Sequence, residues 1–332
     1  MRTTTALAAL AAAGVTGLGY ALVEARMFTL RSFTLPVLPD GAAPLRVLCL
    51  SDLHLVPRQR HKLEWVRALA GLEPDLVVST GDNLAAMDAV PAVLQAHGEL
   101  LQRPGVFVLG SNDYWTPRFK NPARYLRRAG GGRRVHGVRL PTQDLIDGFH
   151  AAGWLNLTNR RGSLKFGSTL LEFVGVDDPH LTYDRYEQVA GPPDPTAALT
   201  VGVTHAPYRR VLDAMTADGA ALILAGHTHG GQLCLPGFGA LVTNCDLDRR
   251  RAKGVSRWPA PAGASAAGDT LATADRAAAG GTAAAAGTAT GGTAAAWMHV
   301  SAGLGTSPFT PVRFACRPEA SLLTLVGRDG LA

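Results

Sequence analysis

The residues best suited to chemistry in this sequence are two histidines that follow an apolar stretch. Residues 221–225 have the composition of a buried strand and run through a glycine into His227, Thr228 and His229, with two more glycines behind them. In an extended chain, residues two apart point to the same side, so both imidazoles would face one point beyond the strand. Such a pair could bind a metal ion, but the pattern alone is weak evidence.

Polar residues of the same kinds follow four other apolar stretches, which strengthens the metal hypothesis. The stretches are 45–50, 76–80, 105–109 and 199–203. The first three alternate with helical patterns at a period of roughly 30 residues, the length of a strand–helix–strand unit, so we expect parallel neighbours in one sheet. The residues at the four ends are Asp52, His54, Asp82, Asn112 and His205.

These side chains should converge, because parallel strands have their C-terminal ends on one edge and ligands of open α/β sheets bind at that edge. Carboxylates, imidazoles and amide oxygens suit Mn²⁺, Fe, Zn²⁺ or Mg²⁺ rather than copper. The set is too large for one four- to six-coordinate ion. With one carboxylate shared, it fits two ions about 4 Å apart, an arrangement that clamps the attacking and leaving oxygens in phosphoryl displacement.

The chain resembles the calcineurin-like metallophosphoesterases in five motifs that occur in order from residue 45 onward. They read Asp-Leu-His, Gly-Asp-Asn, Gly-Ser-Asn-Asp, Thr-His-Ala-Pro and Gly-His-Thr-His-Gly-Gly-Gln. The tail 300–308, with Arg313 and Phe314, resembles the membrane-associated bacterial branch of that family. The resemblance extends to about residue 326 and implies an α/β fold in four layers, a two-sheet β-sandwich flanked by helices.

The resemblance also implies a dinuclear site and a mechanism. A hydroxide held between two divalent ions (Mn²⁺, Fe²⁺/Fe³⁺ or Zn²⁺) would attack phosphorus in line, its pKa lowered by their charge. Asp82 would bridge the ions and, with Asn112 and Asp113, is a candidate catalytic residue. The other implied ligands are Asp52, His54 and His229 for the first ion and Asn112, His205 and His227 for the second.

The third motif departs from the family pattern, which usually reads Gly-Asn-His followed by Asp or Glu. Here Ser111 falls on the ligand position and Asn112 on the position of the histidine acid. A one-residue shift of the loop would instead let Asn112 keep the metal, and we prefer this register because an amide oxygen is the better neutral ligand. In either register the usual acid is missing, so poor leaving groups should react slowly unless another acid serves, for which His180 is a candidate.

Two functions are consistent with these residues. The first is a metal-dependent phosphoesterase that hydrolyses phosphomonoester, phosphodiester or pyrophosphate bonds, on a phosphorylated small molecule or a phospholipid at a membrane. The second is a catalytically weak metal-binding protein that binds a phosphorylated ligand or a cell-envelope partner, which the altered third motif would permit.

The N-terminal segment predicts membrane association. Residues 3–23 are uncharged and long enough to cross a bilayer, although rich in Ala and Gly. We expect an uncleaved anchor within 1–30, with a secretory signal or a buried helix as alternatives; the side of the membrane is open. Residues 31–44 form a Pro-rich linker or an edge strand. Residues 45–332 form the catalytic domain, with a disordered Ala/Gly/Thr-rich insert at 259–296.

Charge and composition narrow the partners. The net charge of +6 is smaller than the excess of one segment, Arg118–Arg139, which holds eight Lys/Arg and no acid. This segment is expected to be a solvated face or a site for anionic head groups. Its few aromatic residues argue against nucleic acid. The scattered cysteines are expected to be free thiols, and the protein a monomer.

The remaining polar candidates have simpler explanations. Asp177 and Asp178 precede Pro179 and are expected to form a turn rather than to act in catalysis. Five histidines lie outside the strand-end pattern and are expected to be surface or core residues. They are His61, His97, His136, His150 and His299.

Overall fold

The fold is described from a computed structural model that covers residues 2–118, 136–259 and 295–330. Its helices are α1 Arg2–Glu24, α2 Arg60–Ala68, α3 Val90–His97, α4 Ser111–Tyr114, α5 Thr142–Ala151 and α6 Arg209–Ala217. Its strands are β1 Thr29–Leu38, β2 Leu45–Leu50, β3 Leu76–Ser79, β4 Gly105–Phe107, β5 Leu155–Asn156, β6 Arg160–Phe166, β7 Thr169–Gly175, β8 Leu199–Val203, β9 Leu222–Ala225, β10 Cys234–Leu235, β11 Gly239–Ala240, β12 Gly254–Trp258, β13 Ala296–Val300 and β14 Glu319–Gly327.

The strands form two six-stranded sheets and one short hairpin. The first sheet has the order β1-β14-β2-β3-β4-β5, and the second has the order β12-β13-β9-β8-β7-β6. Strands β2, β3 and β4 are parallel neighbours, as their spacing in the sequence predicts, and β8 and β9 are parallel in the second sheet. The C-terminal ends of these five strands supply the candidate ligands.

Successive side chains of each strand pack on opposite faces of its sheet, which produces the layers of the fold. In β2, Val47 and Cys49 pack between the two sheets, whereas Leu48 and Leu50 pack against the helices outside the first sheet. The outer core of the first sheet includes residues of α2, α3 and α5, and that of the second sheet includes residues of α6. Each sheet thus has both faces covered, and the predicted four-layer α/β sandwich is confirmed.

The segment 31–44 is not simply a linker. Residues 29–38 form β1, which pairs in parallel with β14 at the edge of the first sheet, so the edge-strand alternative describes these residues. Its Pro36 is tolerated because an edge strand leaves one row of backbone groups unpaired. The expected basic loop and the expected disordered insert fall largely on residues 119–135 and 260–294, which lie outside the described residues.

The N-terminal segment is helical over Arg2–Glu24, and its last turns contact the body of the protein. The backbone N–H of Arg313 donates to the carbonyl oxygen of Ala21 at 3.0 Å, and the carboxylate of Glu24 accepts hydrogen bonds from the backbone of Ala315 and Cys316. Within the described part of the chain, no helix has both the length and the apolar character needed to cross a bilayer. A membrane-spanning helix is therefore not confirmed.

Candidate metal centre

The strand ends turn sharply into the site. Asp52, His54 and Asp82 have positive φ angles of 51°, 41° and 58°, and His227 and His229 have 69° and 51°. Left-handed backbone is costly for residues with a side chain and is retained mainly where function requires it. The extended geometry expected for the two histidines is therefore wrong, because the chain leaves the β conformation before His227 and sends the two imidazoles to different neighbours.

The first group of side chains contains Asp52, His54 and His229. Nε2 of His54 lies 3.1 Å from Nε2 of His229, which in turn lies 3.5 Å from Oδ1 of Asp52. The ligand atoms of all three residues lie within 4.8 Å of one another. The sequence predicted these three as one set, and the fold brings them together.

The second group lies beside the first. Nε2 of His205 is 3.5 Å from Oδ1 of Asp82 and 3.2 Å from Nδ1 of His227. The amide of Asn112 lies 2.8 Å from Oδ2 of Asp82. Because Nε2 of His54 is also 3.4 Å from Oδ2 of Asp82, this one carboxylate contacts both groups. Asp82 therefore occupies the position that a bridging ligand requires.

Backbone carbonyl groups fix which histidine nitrogens face the site. Nδ1 of His205 lies 2.8 Å from the carbonyl oxygen of Thr80, and Nδ1 of His229 lies 3.0 Å from that of Gly305. A carbonyl only accepts, so each Nδ1 carries a proton and each Nε2 faces inward, where it can bind a metal ion once it is deprotonated. His227 is reversed, since its Nε2 lies 3.3 Å from the carbonyl oxygen of Asn244 and its Nδ1 faces His205.

The charges of the buried groups follow from their surroundings. Burial lowers the pKa of His54 to about 4 and, together with Arg313, lowers the pKa of His229 to about 3, so both imidazoles are neutral at physiological pH. Burial also favours neutral His205, but Asp82, Asp178 and Asp52 outweigh it and raise its pKa to about 9. Conversely, the neighbouring histidines hold the pKa of Asp82 below its usual value despite its burial.

This donor set fits divalent cations. Imidazole nitrogens face one another at 3.1 and 3.2 Å beside the carboxylates of Asp52 and Asp82, so a cation between them would find several donors directed inward. The residues indicate a divalent metal site formed by Asp52, His54, Asp82, His205 and His229. Oxygen and imidazole donors are suited to Mn²⁺, Fe and Zn²⁺.

The third motif places Asn112, rather than Ser111, against the bridging carboxylate. The backbone N–H of Asn112 donates to Oδ1 of Asp82 at 2.7 Å, and its amide contacts the other oxygen. Both contacts are made by N–H groups of Asn112, so the choice between Ser111 and Asn112 as the metal ligand stays a prediction. A Cβ at Gly110 would lie 2.3 Å from Oδ1 of Asp82, so glycine is needed for this close approach.

Asp113 does not face the site, although it is a candidate catalytic residue by sequence. It is completely buried, and its carboxylate accepts hydrogen bonds from the backbone N–H groups of Asp82, Asn83 and Gly110 at 2.8–2.9 Å. These bonds join the loop after β3 to the loop after β4. We conclude that Asp113 positions Asp82 and does not touch the reacting groups.

Arg313 supports the first group from behind, a role that the sequence did not reveal. Its guanidinium is completely buried and donates to the carbonyl oxygens of Ala302, Gly303 and Gly305 at 2.7–3.0 Å. A further nitrogen lies 3.3 Å from the carbonyl oxygen of His229. Arg313 thereby holds the loop whose Gly305 oxygen orients the His229 ring. The only sequence signal for Arg313 was its place in the C-terminal segment that resembles the membrane-associated branch.

The remaining candidates lie where simple explanations place them, with one exception. Oδ1 of Asp178 accepts a hydrogen bond from the backbone N–H of His180 at 2.8 Å, as the turn hypothesis predicts. The exception is His180, whose ring centre lies 4.5 Å from that of His227 and whose Nδ1 lies 3.0 Å from the hydroxyl of Tyr208. His180 is therefore at the edge of the second group.

Comparison with known proteins agrees with this geometry. The profile of the calcineurin-like phosphoesterase family matches residues 45–231. A Bacillus subtilis (strain 168) protein named YpbG and described as uncharacterized is 29% identical over 234 residues, which cover 69% of this chain and 78% of that protein. A Bos taurus protein named transmembrane protein with metallophosphoesterase domain is 28% identical over 205 residues. That match covers 59% of this chain but only 43% of the bovine protein.

Among solved structures, the chain is similar to a purple acid phosphatase from yellow lupin (Lupinus luteus) seeds, at 13% identity and a TM-score of 0.36. The similarity covers 57% of this chain and 39% of that one.

Proposed function

Because this chain belongs to the calcineurin-like phosphoesterase family, we propose that it hydrolyses phosphoester or pyrophosphate bonds in a membrane-associated substrate. Family membership makes it a metal-dependent hydrolase of phosphoric esters; the substrate class and the membrane are the proposed part. The observation that carries hydrolysis at a dinuclear site is the shared carboxylate of Asp82, which contacts both groups of candidate ligands.

Two divalent ions bound at this site would supply positive charge for the phosphoryl oxygens and would acidify a water nucleophile. Asp52, His54 and His229 would hold one ion, and Asn112, His205 and His227 the other, with Asp82 between them. The native pair of ions, Mn²⁺, Fe or Zn²⁺, is part of the proposal.

The protein's own contribution is to fix these groups before a substrate arrives. Asp113 ties the Asp82 loop to the Asn112 loop, and Arg313 fixes the loop that orients His229. Positioning of this kind is worth most when charge develops in the transition state, because no reorganisation is then needed.

Proton delivery to the leaving group distinguishes this site from the family pattern. Asn112 lies where the family has its histidine acid or next to it, and an amide does not donate a proton in this sense. His180 is the nearest additional imidazole to the second group among the described residues, 4.5 Å from His227 between ring centres. We therefore propose that activated aryl phosphodiesters react far faster than alkyl esters, unless another acid serves the leaving group, for which His180 is the candidate.

Membrane association is supported by two kinds of observation. Curated relatives from Bos taurus and Danio rerio carry the name transmembrane protein with metallophosphoesterase domain. Helix α1 also exposes large apolar side chains, including Val15, Leu18 and Val23. Both favour a phospholipid head group or a lipid-linked phosphate over a freely soluble metabolite as substrate.

The altered third motif favours one alternative, a catalytically weak protein that keeps the metals and binds a phosphorylated ligand. Assay of the purified full-length chain with Mn²⁺ on bis(p-nitrophenyl) phosphate separates the two. The enzyme requires turnover that is lost in Asp82→Asn and His229→Ala but retained in His150→Ala, a matched change of an exposed histidine outside the site. Bound metal without turnover on aryl or alkyl esters would support the binding protein instead.

A further inference from the structure

An exposed apolar surface borders the metal centre. We call it the apolar rim; it is carried by the β10–β11 hairpin, its flanks and one neighbouring loop. Phe238 at the hairpin turn is 59% exposed, and Leu235 and Phe309 are each 49% exposed. Several large exposed apolar side chains on one hairpin and its flanks mark a surface that contacts something else. The apolar rim comprises Leu233, Leu235, Phe238, Leu241, Val242 and Phe309.

Both ends of the hairpin segment lie next to the metal centre. It leaves the site just after His229, and it returns at Asn244, whose carbonyl oxygen lies 3.3 Å from Nε2 of His227. The side chain of Gln232 donates to the carbonyl oxygens of Thr310 and Val312 at 2.8 and 2.9 Å, which ties the Phe309 loop to the same base. Whatever covers the apolar rim therefore lies next to the metal centre.

Helix α1 extends this apolar surface. Its Tyr20 ring packs edge-on against Phe314, 5.7 Å between centres, and the Phe314 carbonyl oxygen accepts a hydrogen bond from the backbone of Cys234 in β10. On the helix, Ala21 and Glu24 are buried against the body. The exposed Val15, Leu18 and Leu22 are spaced three and four apart and so share another face.

The apolar rim is flanked by arginines. Arg249 and Arg250 follow the hairpin and are exposed, and Cζ of Arg249 lies 4.9 Å from the centre of the Phe238 ring. Arg26 and Arg317 are exposed near the docked end of α1. The nearby Asp248 accepts a hydrogen bond from the backbone of Arg250 at 2.8 Å and so has a local role. Large apolar side chains beside arginines are typical of surfaces that lie in the head-group region of anionic bilayers.

We propose that the apolar rim, together with the exposed face of α1, docks on an anionic lipid surface and so presents the metal centre to phosphorylated head groups of the same leaflet. The exposed apolar side chains and the arginines are the observations that support the docking. The presentation of the metal centre to head groups rests on the proposed phosphoesterase function. A second copy of this chain is the competing occupant of the surface.

Hydrogen exchange of the full-length chain tests the docking directly. The protein is compared alone, with phosphatidylcholine vesicles, and with vesicles of equal parts phosphatidylcholine and phosphatidylglycerol. The expected result is slower exchange in peptides covering residues 233–243 with the anionic vesicles. Slower exchange confined to α1 would overturn the proposal, because it would show that the rim stays in water.

Two pairs of variants test the contributions separately. Phe238→Ser with Leu241→Ser should weaken binding to the anionic vesicles about tenfold, whereas Met87→Ser, which changes an exposed apolar residue outside the rim, should not. Arg249→Glu with Arg250→Glu should also weaken it about tenfold, with Arg60→Glu on α2 as the matched control. Equal binding of all variants would overturn the proposal.

Activity distinguishes failure of the docking from failure of the proposed function. The Phe238→Ser, Leu241→Ser variant should hydrolyse soluble bis(p-nitrophenyl) phosphate at the wild-type rate, since neither residue belongs to the metal centre. Light scattering of the wild-type protein in solution should give the mass of one chain. A dimer that becomes monomeric in this variant would assign the rim to a second copy and overturn the lipid proposal.

Discussion

Histidine is buried in two regions of this molecule, the strand-end edge and the packed interior. In the interior, His97 packs among Phe149 and Trp154 and its Nδ1 donates to the carbonyl oxygen of Val93 at 2.8 Å. His299 lies between the sheets with its Nε2 2.9 Å from the hydroxyl of Ser321. At the strand-end edge, by contrast, imidazole nitrogens face other imidazole nitrogens at 3.1 and 3.2 Å.

This difference indicates that the buried histidines of the two regions have different roles. An interior histidine with one hydrogen bond and aromatic neighbours contributes packing, and burial keeps it neutral. At the strand-end edge, the imidazole nitrogens and carboxylates that face inward are positioned to bind a cation rather than to pack. Groups arranged for function in this way often lower stability, so changes at the edge should affect activity and changes in the interior should affect folding.

The largest effect is expected from Asp82→Asn, which removes the shared charge of the edge. We expect kcat/KM on bis(p-nitrophenyl) phosphate to fall about 10³-fold or more, about 4 kcal/mol, together with lower metal content by elemental analysis. The melting temperature of the metal-free protein at pH 7 should fall modestly, because the neighbouring histidines favour the charged form of Asp82 in the folded state and Asn removes that interaction. A lower melting temperature with unchanged kcat/KM would break the comparison, because it would make Asp82 a structural residue.

The next effect separates the two registers of the third motif. Asn112→Ala should lower kcat/KM about 100-fold, because its amide contacts Asp82, whereas Ser111→Ala should change it less than about threefold. Both variants should bind the first ion normally by titration calorimetry. The opposite ranking would assign the ligand position to Ser111 and return the motif to the ungapped register.

Acid stability tests the interior histidines. Burial lowers the pKa of His97 and of His299 from 6.5 to about 4, so the unfolded chain takes up their protons first as the pH falls. Stability contributed by their neutral form is complete above about pH 6.5 and is lost progressively down to about pH 4. Urea titrations of the metal-free protein should show about 2 kcal/mol lost per histidine between pH 7 and pH 5.

His97→Phe should remove the contribution of one histidine to the pH dependence of the unfolding free energy. Activity at pH 7 should stay nearly unchanged, since the new ring would still pack against Phe149 and Trp154. An identical slope of stability against pH in the variant and the wild type would contradict the account of the interior region.

The smallest effect concerns His180, at the border of the edge region. If it delivers the proton, His180→Ala should slow an alkyl phosphodiester about tenfold and leave the p-nitrophenyl diester unchanged, because the aryl leaving group needs no acid. Tyr208→Phe removes the hydroxyl 3.0 Å from His180 and serves as the milder control. Equal losses on both esters would mean that His180 supports the fold of the site instead.

Much of the metal centre could be predicted from the sequence, because each of its motifs is one short stretch of the chain. Each motif consists of a strand and the few residues after it, so the order of five such motifs indicated the two-sheet fold and the set that includes Asp52, Asp82 and His205. The parallel order of β2, β3 and β4 then follows from chain length between strands, which leaves little choice of connection.

The tertiary structure decided what depends on contacts between distant segments. It replaced the extended Gly-His-Thr-His strand end with left-handed turns, turned Asp113 away from the site and placed Arg313 behind His229, 84 residues earlier in the chain. It also brought α1 beside the β10–β11 hairpin. Residue spacing does not determine the burial or the hydrogen-bond partners of residues that meet from distant segments. These depend on how elements far apart in the sequence pack against one another.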